Sequence, residues 1–353
     1  MRAPSAAVPS ARPLLPVVGT GLLAAAGHRA ARRAVLAART APDPDVLVGR
    51  DLRPAREHRV RTADGIGLHV AEYGDPEAPL TIVLAHGWTL SGRLWERVVA
   101  PLARTARVLV YDHRAHGRSD RAPADACSLA QLGSDLGTVI DVLAPTGDLV
   151  LAGHSMGGMT IMHLAEQRPQ FVRERVRGVA LVSTSAGELA DLDLGLPRPA
   201  AAAVRRLGRP GVAALGRLER LLEAGRTPPE MWLLLRALNF GPGAPARLVD
   251  DMAAVAGRTP LGVVATFYEA LLVHDGTAGL RVLAEVPGVI VVGGVDRLTP
   301  PAHAQRLSEA LPSARLVVVP GAGHMVLTER PAVVADAVLD LLPRRSRLLA
   351  APA

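Results

Sequence analysis

The stretch "GHSMGG" at residues 153–158 places a serine between two glycines, directly after the apolar run "DLVLA" and before "MTIMHLAEQ". Gly153 and Gly157 have no Cβ, so they permit a sharp turn from a strand into a helix, with Ser155 exposed at the turn on a strained backbone. A serine in this position can act as a nucleophile toward a carbonyl carbon. The alternative interpretation is a tight strand-to-helix connection in which the serine has no chemical role.

Two later segments contain the base and the acid that such a serine would need. His324 follows the apolar run "RLVVV" in "PGAGHMVLTERP", and Asp296 follows "GVIVV" in "GGVDRLTP". A serine hydroxyl is a weak nucleophile until a general base accepts its proton, and the base must be oriented by an acid. Both residues come where a loop leaves a predicted strand, at the sheet edge that carries Ser155. We therefore predict a catalytic triad of these three residues.

Other histidines and aspartates are weaker candidates for these roles. Four histidines lie inside or beside predicted helices, with no acid placed at a strand end: His154, His163, His274 and His303. Asp275 and Asp120 remain alternative acids, because the acid of a triad can come from another strand end when the geometry is preserved.

A tetrahedral intermediate would need two backbone N–H groups to bind its oxyanion. We predict the amide of Met156 as one donor, since it begins the helix after the serine, where amides are unpaired and the helix dipole favours negative charge. The second is expected from "HGW" at residues 86–88, where the amide of Trp88 would donate and its indole would wall the pocket. His86 is interpreted as a structural residue that holds this loop by hydrogen bonds rather than as a second base.

The segments that must position these residues are short apolar runs that alternate with helical patterns such as the one at 128–144. The runs lie at residues 80–85, 107–112, 148–153, 177–183, 288–294 and 314–320. Runs that are apolar on both faces are typical of parallel strands covered by helices. Residues 57–74 instead alternate on both sides of Asp64 and Gly65, which predicts an antiparallel hairpin. The predicted fold class is therefore α/β, with a doubly wound, mostly parallel sheet flanked by helices.

Residues 186–285 break this alternation, because they contain helical pieces with proline and glycine breaks and no strand-like run. An insertion between two strands of a parallel sheet predicts a helical cap over the carboxyl ends of the strands, where ligands bind. Together with Trp88, the large side chains expected in a substrate pocket are Trp232, Phe240, Phe267 and Tyr268, although packing inside the cap is the alternative for each of these four. The predicted organisation is an N-terminal extension at 1–45, an α/β core at 46–185 and 286–345, and the cap at 186–285.

Composition limits the classes of partner. The chain has 353 residues, of which 49% are hydrophobic and 21% charged, and its formal charge is +7. Residues 1–61 hold 11 arginines and 4 acidic residues, so the remainder of the chain is neutral. Nucleic-acid binding is therefore not expected, because phosphate recognition needs a basic face on the folded surface. The single Cys127 excludes an intramolecular disulfide and a cysteine-based metal site, and its expected role is a small buried side chain.

The N-terminal region carries an apolar stretch at 13–27, followed by a basic segment. This stretch is shorter than the roughly 20 residues of a membrane-spanning helix. Three interpretations remain open: a cytoplasmic extension or helix lying on the fold, a membrane-surface segment with Arg29, Arg32, Arg33 and Arg39 facing anionic lipid, and an export signal. A cytoplasmic location is expected, with membrane association or export as the alternatives.

Five motifs follow in order along the chain: "HGW", "DHRAHGRSD", "GHSMGG", "GGVDRLTP" and "GAGHMVLTERP". In these motifs the chain resembles the α/β-hydrolase superfamily from about residue 56 to 343, and within it the branch of serine esterases and cofactor-free perhydrolases, also called non-haem haloperoxidases. The resemblance implies the triad Ser155, Asp296 and His324, the oxyanion amides of Trp88 and Met156, and no cofactor or metal. The chain departs from the family at Ala115, where glycine is common.

The expected reaction is the transfer of an acyl group from a small-molecule carboxylic ester or thioester to Ser155, followed by hydrolysis of the acyl-enzyme. Perhydrolysis, lactone opening and C–C bond cleavage are alternatives, as is a non-hydrolytic ligand-binding protein, because a fold does not determine a function. The sequence contains neither a G-x-x-x-x-G-K-[ST] loop nor an H-E-x-x-H motif, so nucleotide-driven and zinc-dependent hydrolysis are not expected.

Overall fold

The computed structural model describes residues 15–40, 52–191 and 227–342. Parts of the predicted extension, core and cap lie outside the described residues, namely 1–14, 41–51, 192–226 and 343–345. Within the described ranges the chain forms one mixed sheet with a hydrophobic cluster on each face. This architecture confirms the predicted α/β fold class.

The sheet has eight strands in the order β1-β2-β4-β3-β5-β6-β7-β8. The strands are β1 (Arg56–Arg61), β2 (Gly67–Tyr73), β3 (Leu80–Ala85), β4 (Arg107–Tyr111), β5 (Asp148–His154), β6 (Val176–Val182), β7 (Gly288–Gly293) and β8 (Ala314–Val319). β2 pairs antiparallel with β1 and β4, and all other pairs are parallel. The neighbouring strands β3 and β5 mark the point where the strand order reverses, because the chain continues from β3 to β4 on one side and from β5 to β6 on the other. Open α/β sheets bind ligands in the crevice at the carboxyl ends of two such strands.

The strands follow from the apolar runs in the sequence. β3 to β8 begin and end within one residue of the predicted runs. Every residue of β3 and β7 is buried, as expected for strands covered on both faces, whereas the edge strand β8 is partly exposed. The predicted hairpin is also confirmed, since Val60 in β1 pairs with Leu68 in β2 and Gly65 in the turn has a φ of 85°.

Helices cover both faces of this sheet. They are α2 (Glu96–Leu102), α3 (Leu129–Leu143), α4 (Met156–Gln167), α5 (Pro169–Arg175), α9 (Thr277–Leu283), α10 (Pro301–Ala310), α11 (Val326–Glu329) and α12 (Pro331–Leu339). The predicted helical pattern at 128–144 is α3, which begins where Ser128 accepts a hydrogen bond from the backbone N–H of Gln131. Leu136, Val139 and Ile140 on its inner face are buried against the sheet.

Three further helices lie in the interval between β6 and β7: α6 (Pro229–Asn239), α7 (Ala246–Ala256) and α8 (Leu261–Leu272). We call them the roof helices. Each begins at or directly after a proline, whose fixed φ and missing N–H suit the first turn of a helix. No strand occurs in the described part of this interval, and the cap at 186–285 stays a prediction because residues 192–226 lie outside the described residues.

A buried ion pair ties the hairpin to the core. The guanidinium of Arg114 is fully buried and donates both Nε and Nη2 to the carboxylate of Asp135, at 2.7 Å each. Its remaining N–H groups reach the carboxylate of Asp64 in the hairpin turn and the carbonyl of Ala126. All five donors of the guanidinium are therefore satisfied, which a buried charge requires.

The long N-terminal helix α1 (Leu15–Thr40) lies against the roof helices α6 and α7. Across the ranges that the structure describes, no helix combines the length and the apolar character needed to cross a membrane.

Candidate active site

Ser155 stands at the turn between β5 and α4 with a φ of 52° and a ψ of −118°, a conformation that costs energy for any residue with a side chain. Two glycines make this turn possible. A Cβ on Gly153 would lie 2.5 Å from the carbonyl carbon of Gly157, and a Cβ on Gly157 would lie 2.6 Å from the carbonyl carbon of Ala85 and 2.9 Å from the carbonyl oxygen of His86. The start of α4 therefore packs directly on the end of β3, as the glycine pattern predicted.

His324 and Asp296 form a buried hydrogen-bonded pair. His324 Nδ1 lies 2.9 Å and 3.1 Å from the two carboxylate oxygens of Asp296, and the side chains are about 5% and 0% exposed. The loop after β7 brings Asp296 to this place, and the loop after β8 brings His324, so two adjacent parallel strands supply the pair. The imidazole is thus held with Nδ1 toward the acid, so that Nε2, on the opposite side of the ring, is turned away from the carboxylate.

Asp296 is kept ionised in spite of its burial. Burial alone would raise the pKa of this carboxyl group, but its electrostatic interaction with the imidazole of His324 and hydrogen bonds from His324 and Thr299 outweigh this effect, so that the net pKa is lowered. The backbone N–H and the hydroxyl of Thr299 donate at 2.9 Å to different carboxylate oxygens, and the N–H of Leu298 donates at 2.9 Å. An anionic acid in this position can orient and stabilise an imidazolium.

Ser155 and His324 line one cavity of about 360 Å³ beneath the roof helices. Within the described residues, no hydrogen bond joins the hydroxyl of Ser155 to the imidazole of His324. Such contacts are often long in an unliganded enzyme and shorten when substrate binds. The cavity walls are mainly apolar, and the roof helices contribute Met231, Leu235, Leu238, Met252, Val264 and Leu271 to them.

The two amides predicted to bind an oxyanion belong to a residue that lines this cavity, Trp88, and to the residue that follows Ser155, Met156. Met156 is the first residue of α4, where the helix leaves its N–H groups without partners inside the helix. Trp88 lines the cavity in the loop after β3, and no hydrogen bond from its backbone N–H is found within the described ranges. Because α4 packs on the end of β3, both amides are carried on elements that touch each other.

A cluster of neutral histidines holds the Trp88 loop. His86 Nδ1 donates to the carbonyl of Gly87 at 2.8 Å, and its Nε2 accepts the backbone N–H of His113 at 2.9 Å. His116 Nε2 accepts the backbone N–H of Thr89 at 3.3 Å. Burial lowers the pKa of His86, and burial together with the proximity of a second titratable imidazole, that of His86, lowers the pKa of His116 to about 3. His86 therefore has the structural position that the sequence predicted.

Residues 82–337 match the model of the alpha/beta hydrolase family. The chain belongs to that family. Its match to the polyketide synthase ThaQ of Burkholderia thailandensis has 30% identity and covers 75% of this chain but 12% of ThaQ. A match to RutD of Pseudomonas savastanoi pv. phaseolicola, named as a carbamate hydrolase, has 30% identity and covers 78% of this chain and 97% of RutD.

Solved structures agree with this assignment. The enol-lactonase from Burkholderia xenovorans has 26% identity and a TM-score of 0.63, and the alignment covers 81% of this chain and 99% of the lactonase. Hydrolase activity is therefore supported for this protein at the level of the family and its relatives. Within the described part of the hydrolase, no group of three or more His, Cys, Asp or Glu residues is arranged to hold a metal ion.

The aromatic residues predicted for the pocket of this hydrolase separate into two groups. Trp88 and Tyr268 line the cavity, with their rings stacked at 5.9 Å between centroids. Trp232, Phe240 and Phe267 are buried elsewhere and are not among the described residues of the cavity wall. The indole of Trp232 donates to a carboxylate on α7, and Phe267 packs with its ring 5.5 Å from that of His116. Trp232, Phe240 and Phe267 therefore pack inside the protein, which was the predicted alternative to lining the pocket.

Five other histidines and aspartates that were considered as base or acid make contacts away from Ser155. Asp120 accepts the backbone N–H of Gly67 in the hairpin, and Asp275 accepts the N–H of Thr277 at the start of α9. His303 bonds to Ser185, and the rings of His163 and His274 lie 5.4 Å apart. None of these five residues is among the described residues that line the cavity. Ala115 has a φ of 60°, which explains why glycine is common there in the family.

Three supporting residues could not be assigned from the sequence. Thr299 holds Asp296, as described above, and only its place three residues after the acid could have indicated it. The buried carboxylate of Glu329 accepts the backbone N–H of Gly323 at 2.8 Å and that of Gly241 at 3.0 Å, so it braces the loop that carries the catalytic histidine candidate. His154 Nε2 donates to the carbonyl of His324 at 3.0 Å, and burial lowers the pKa of His154 to about 3.

Proposed function

We propose that this protein is a serine hydrolase that cleaves a carboxylic ester or thioester through an acyl-enzyme. One observation carries the proposal: a strained Ser155 lines the same apolar cavity as His324, whose imidazole is hydrogen-bonded to the buried carboxylate of Asp296. Each of the three follows the carboxyl end of a different strand in the parallel part of the sheet, namely β5, β7 and β8. This arrangement provides a nucleophile, a base and an orienting acid for acyl transfer.

In the proposed mechanism, Ser155 Oγ attacks the substrate carbonyl while His324 Nε2 accepts the hydroxyl proton. The imidazolium formed is stabilised by the carboxylate of Asp296 through Nδ1–H. The backbone N–H groups of Trp88 and Met156 donate to the tetrahedral oxyanion. His324 then gives its proton to the leaving oxygen or sulfur, and the acyl group stays on Ser155. A water molecule, deprotonated by His324, releases the acid and regenerates the serine.

The cavity favours an acyl group with an apolar chain. Its described walls carry the side chains of leucine, methionine and valine from the roof helices, and the stacked rings of Trp88 and Tyr268 close one part of it. Burial of apolar surface contributes about 25 cal/mol per Å². We therefore expect esters of medium-length fatty acids to have a lower KM than acetate esters.

The proposal is tested by turnover of p-nitrophenyl esters and by labelling with a fluorophosphonate. Ser155→Ala should abolish both, while Ser134→Ala, a matched change at an exposed serine of α3, should leave both unchanged. His324→Ala should lower kcat by up to about 10⁶-fold, and Asp296→Asn by about 10⁴-fold. Labelling that persists in Ser155→Ala, or a loss below tenfold in His324→Ala, would overturn the proposed roles.

A cyclic ester is the second candidate substrate, and the similarity to an enol-lactonase favours it. The chemistry is the same, except that the leaving oxygen remains attached to the acyl group. A panel of open-chain esters, lactones and carbamates, compared by kcat/KM, distinguishes these substrates. An inert protein whose melting temperature rises with a ligand would instead support the non-hydrolytic alternative.

A further inference from the structure

Helix α1 has two chemically different faces, and one of them is attached to the roof of the cavity. Ala31 and Val35 are buried, with 7% and 6% of their surface exposed, and the contacts of α1 are with α6 and α7. These residues lie one turn apart, so they form a single apolar line along the inner face. The same two roof helices supply Met231, Leu235 and Met252 to the cavity wall.

Two polar contacts fix this docking. Arg39 donates Nη2 and Nε to the two carboxylate oxygens of Asp250 on α7, at 2.7 Å and 3.1 Å. Asp250 also accepts the indole N–H of the buried Trp232 on α6 at 2.7 Å, so one carboxylate joins α1, α6 and α7. Near the middle of α1, His28 Nδ1 lies 2.8 Å from the carboxylate of Glu230. The inner face of α1 therefore has its own partners.

The outer face carries Arg29, Arg32, Arg33 and Leu36, and all four are exposed. Their spacing of three, four and seven residues places them on one side of the helix. Within the described residues, none of the three arginines has an acidic partner, in contrast to Arg39 on the inner face. Leu36 follows Arg32 and Arg33 by about one helical turn on this face and is 57% exposed.

The sequence of α1 before this face is apolar. Residues 15–27 of the helix contain no charged side chain. A helix that combines an apolar portion with an arginine-rich face is typical of segments that lie in the interface of an anionic membrane. A nucleic acid would also attract the arginines, but its phosphate backbone would make no favourable contact with the apolar portion or with an exposed leucine beside the charges.

We propose that α1 binds the surface of an anionic phospholipid bilayer through Arg29, Arg32 and Arg33, while its inner face holds the roof helices. The enzyme would then rest on the membrane with α6 and α7 attached to the membrane-bound helix. This proposal does not depend on the chemistry assigned to the cavity.

The test uses the full-length protein and sucrose-loaded vesicles that are sedimented. One set contains phosphatidylcholine alone, and the other contains phosphatidylcholine with phosphatidylglycerol. Each arginine near an anionic surface contributes about fivefold to binding, so Arg29→Gln, Arg32→Gln and Arg33→Gln together should weaken binding to the anionic vesicles by about 100-fold. All three side chains are exposed, so the melting temperature should be unchanged.

The matched control carries the same three charge changes at other exposed arginines, namely Arg104→Gln, Arg121→Gln and Arg281→Gln, and should bind within threefold of the unaltered protein. Binding to the anionic vesicles should also fall steeply between about 50 and 500 mM salt. Equal losses in the two triple variants would overturn the proposal, as would equal binding to both vesicle types. Binding to duplex DNA or RNA without binding to vesicles would show that the face has a different partner and would also overturn it.

Discussion

The close packing of α4 on β3 makes Gly157→Ala a sharp test of the proposed oxyanion site. A methyl group at this position would start 2.6 Å from the carbonyl carbon of Ala85. Carbon atoms in contact are normally about 3.5–4.0 Å apart, so the start of α4 must move away from β3 by roughly 1 Å. The two predicted oxyanion amides, of Met156 on α4 and of Trp88 after β3, would separate by a similar distance.

A displacement of this size should weaken transition-state binding more than it weakens folding. A misplacement of about 1 Å in a catalytic site can cost about 100-fold in rate. Overpacking costs about 1–3 kcal/mol of stability, partly offset by the better helix propensity of alanine. We therefore expect Gly157→Ala to fold, with kcat/KM for p-nitrophenyl esters reduced about 100-fold.

The assay combines steady-state kinetics with thermal unfolding, and near-ultraviolet circular dichroism shows that the variant is folded. Gly137→Ala is the matched control, because a Cβ there would first meet the flexible ends of Arg168 and Leu164, at 3.1 Å and 3.4 Å. It should keep kcat/KM within twofold and gain up to about 1 kcal/mol of stability. If Gly157→Ala is folded and keeps kcat/KM within threefold, the argument that this contact positions the oxyanion amides is wrong.

Three further predictions follow from buried polar contacts. Asp135→Asn removes the charge that compensates Arg114, and should lower the free energy of unfolding by about 3–5 kcal/mol in urea titrations; a loss under 1 kcal/mol would contradict the role of the ion pair. The pKa of Asp64 is lowered to about 2, chiefly by hydrogen bonding to Arg114, so its stabilising effect is complete above its unfolded pKa near 4 and is lost as the pH falls toward 2. Asp64→Asn should therefore flatten the decline of the urea midpoint between about pH 4 and pH 2, and an unchanged slope would refute this. His154→Phe removes the hydrogen bond to the carbonyl of His324 and should lower kcat about tenfold with KM nearly unchanged, whereas an equal rise in KM would assign His154 to substrate binding.

Much of this fold can be predicted from local patterns in the sequence. Parallel strands buried on both faces must be apolar along their whole length, so β3 and β7 stand out as continuous runs. The turn that holds Ser155 needs glycines on both sides, because no Cβ fits there, and this makes it visible as a motif. Asp296 and His324 could be proposed from the sequence because each lies in the loop after a strand, and the carboxyl ends of parallel strands meet at one edge of the sheet.

The residues that sequence reasoning could not assign depend on contacts between distant segments. An aromatic residue on a helix of the insert can face either the cavity or a neighbouring helix, and periodicity describes both cases equally. Tyr268 faces the cavity, whereas Trp232 turns away toward a carboxylate that also binds α1. Glu329 looks like an ordinary surface acid in the sequence, yet it is buried and braces two backbone segments 82 residues apart, at Gly241 and Gly323.

The amino-acid sequence alone determined the fold class and the order of the chemically important residues, because strand hydrophobicity and turn geometry act over a few neighbouring residues. Only the tertiary structure decided which side chains surround the cavity, which histidines are neutral supports, and which face of α1 is left exposed. These outcomes depend on the packing of elements far apart in the chain, and burial and hydrogen bonding there are set by partners that no local pattern specifies.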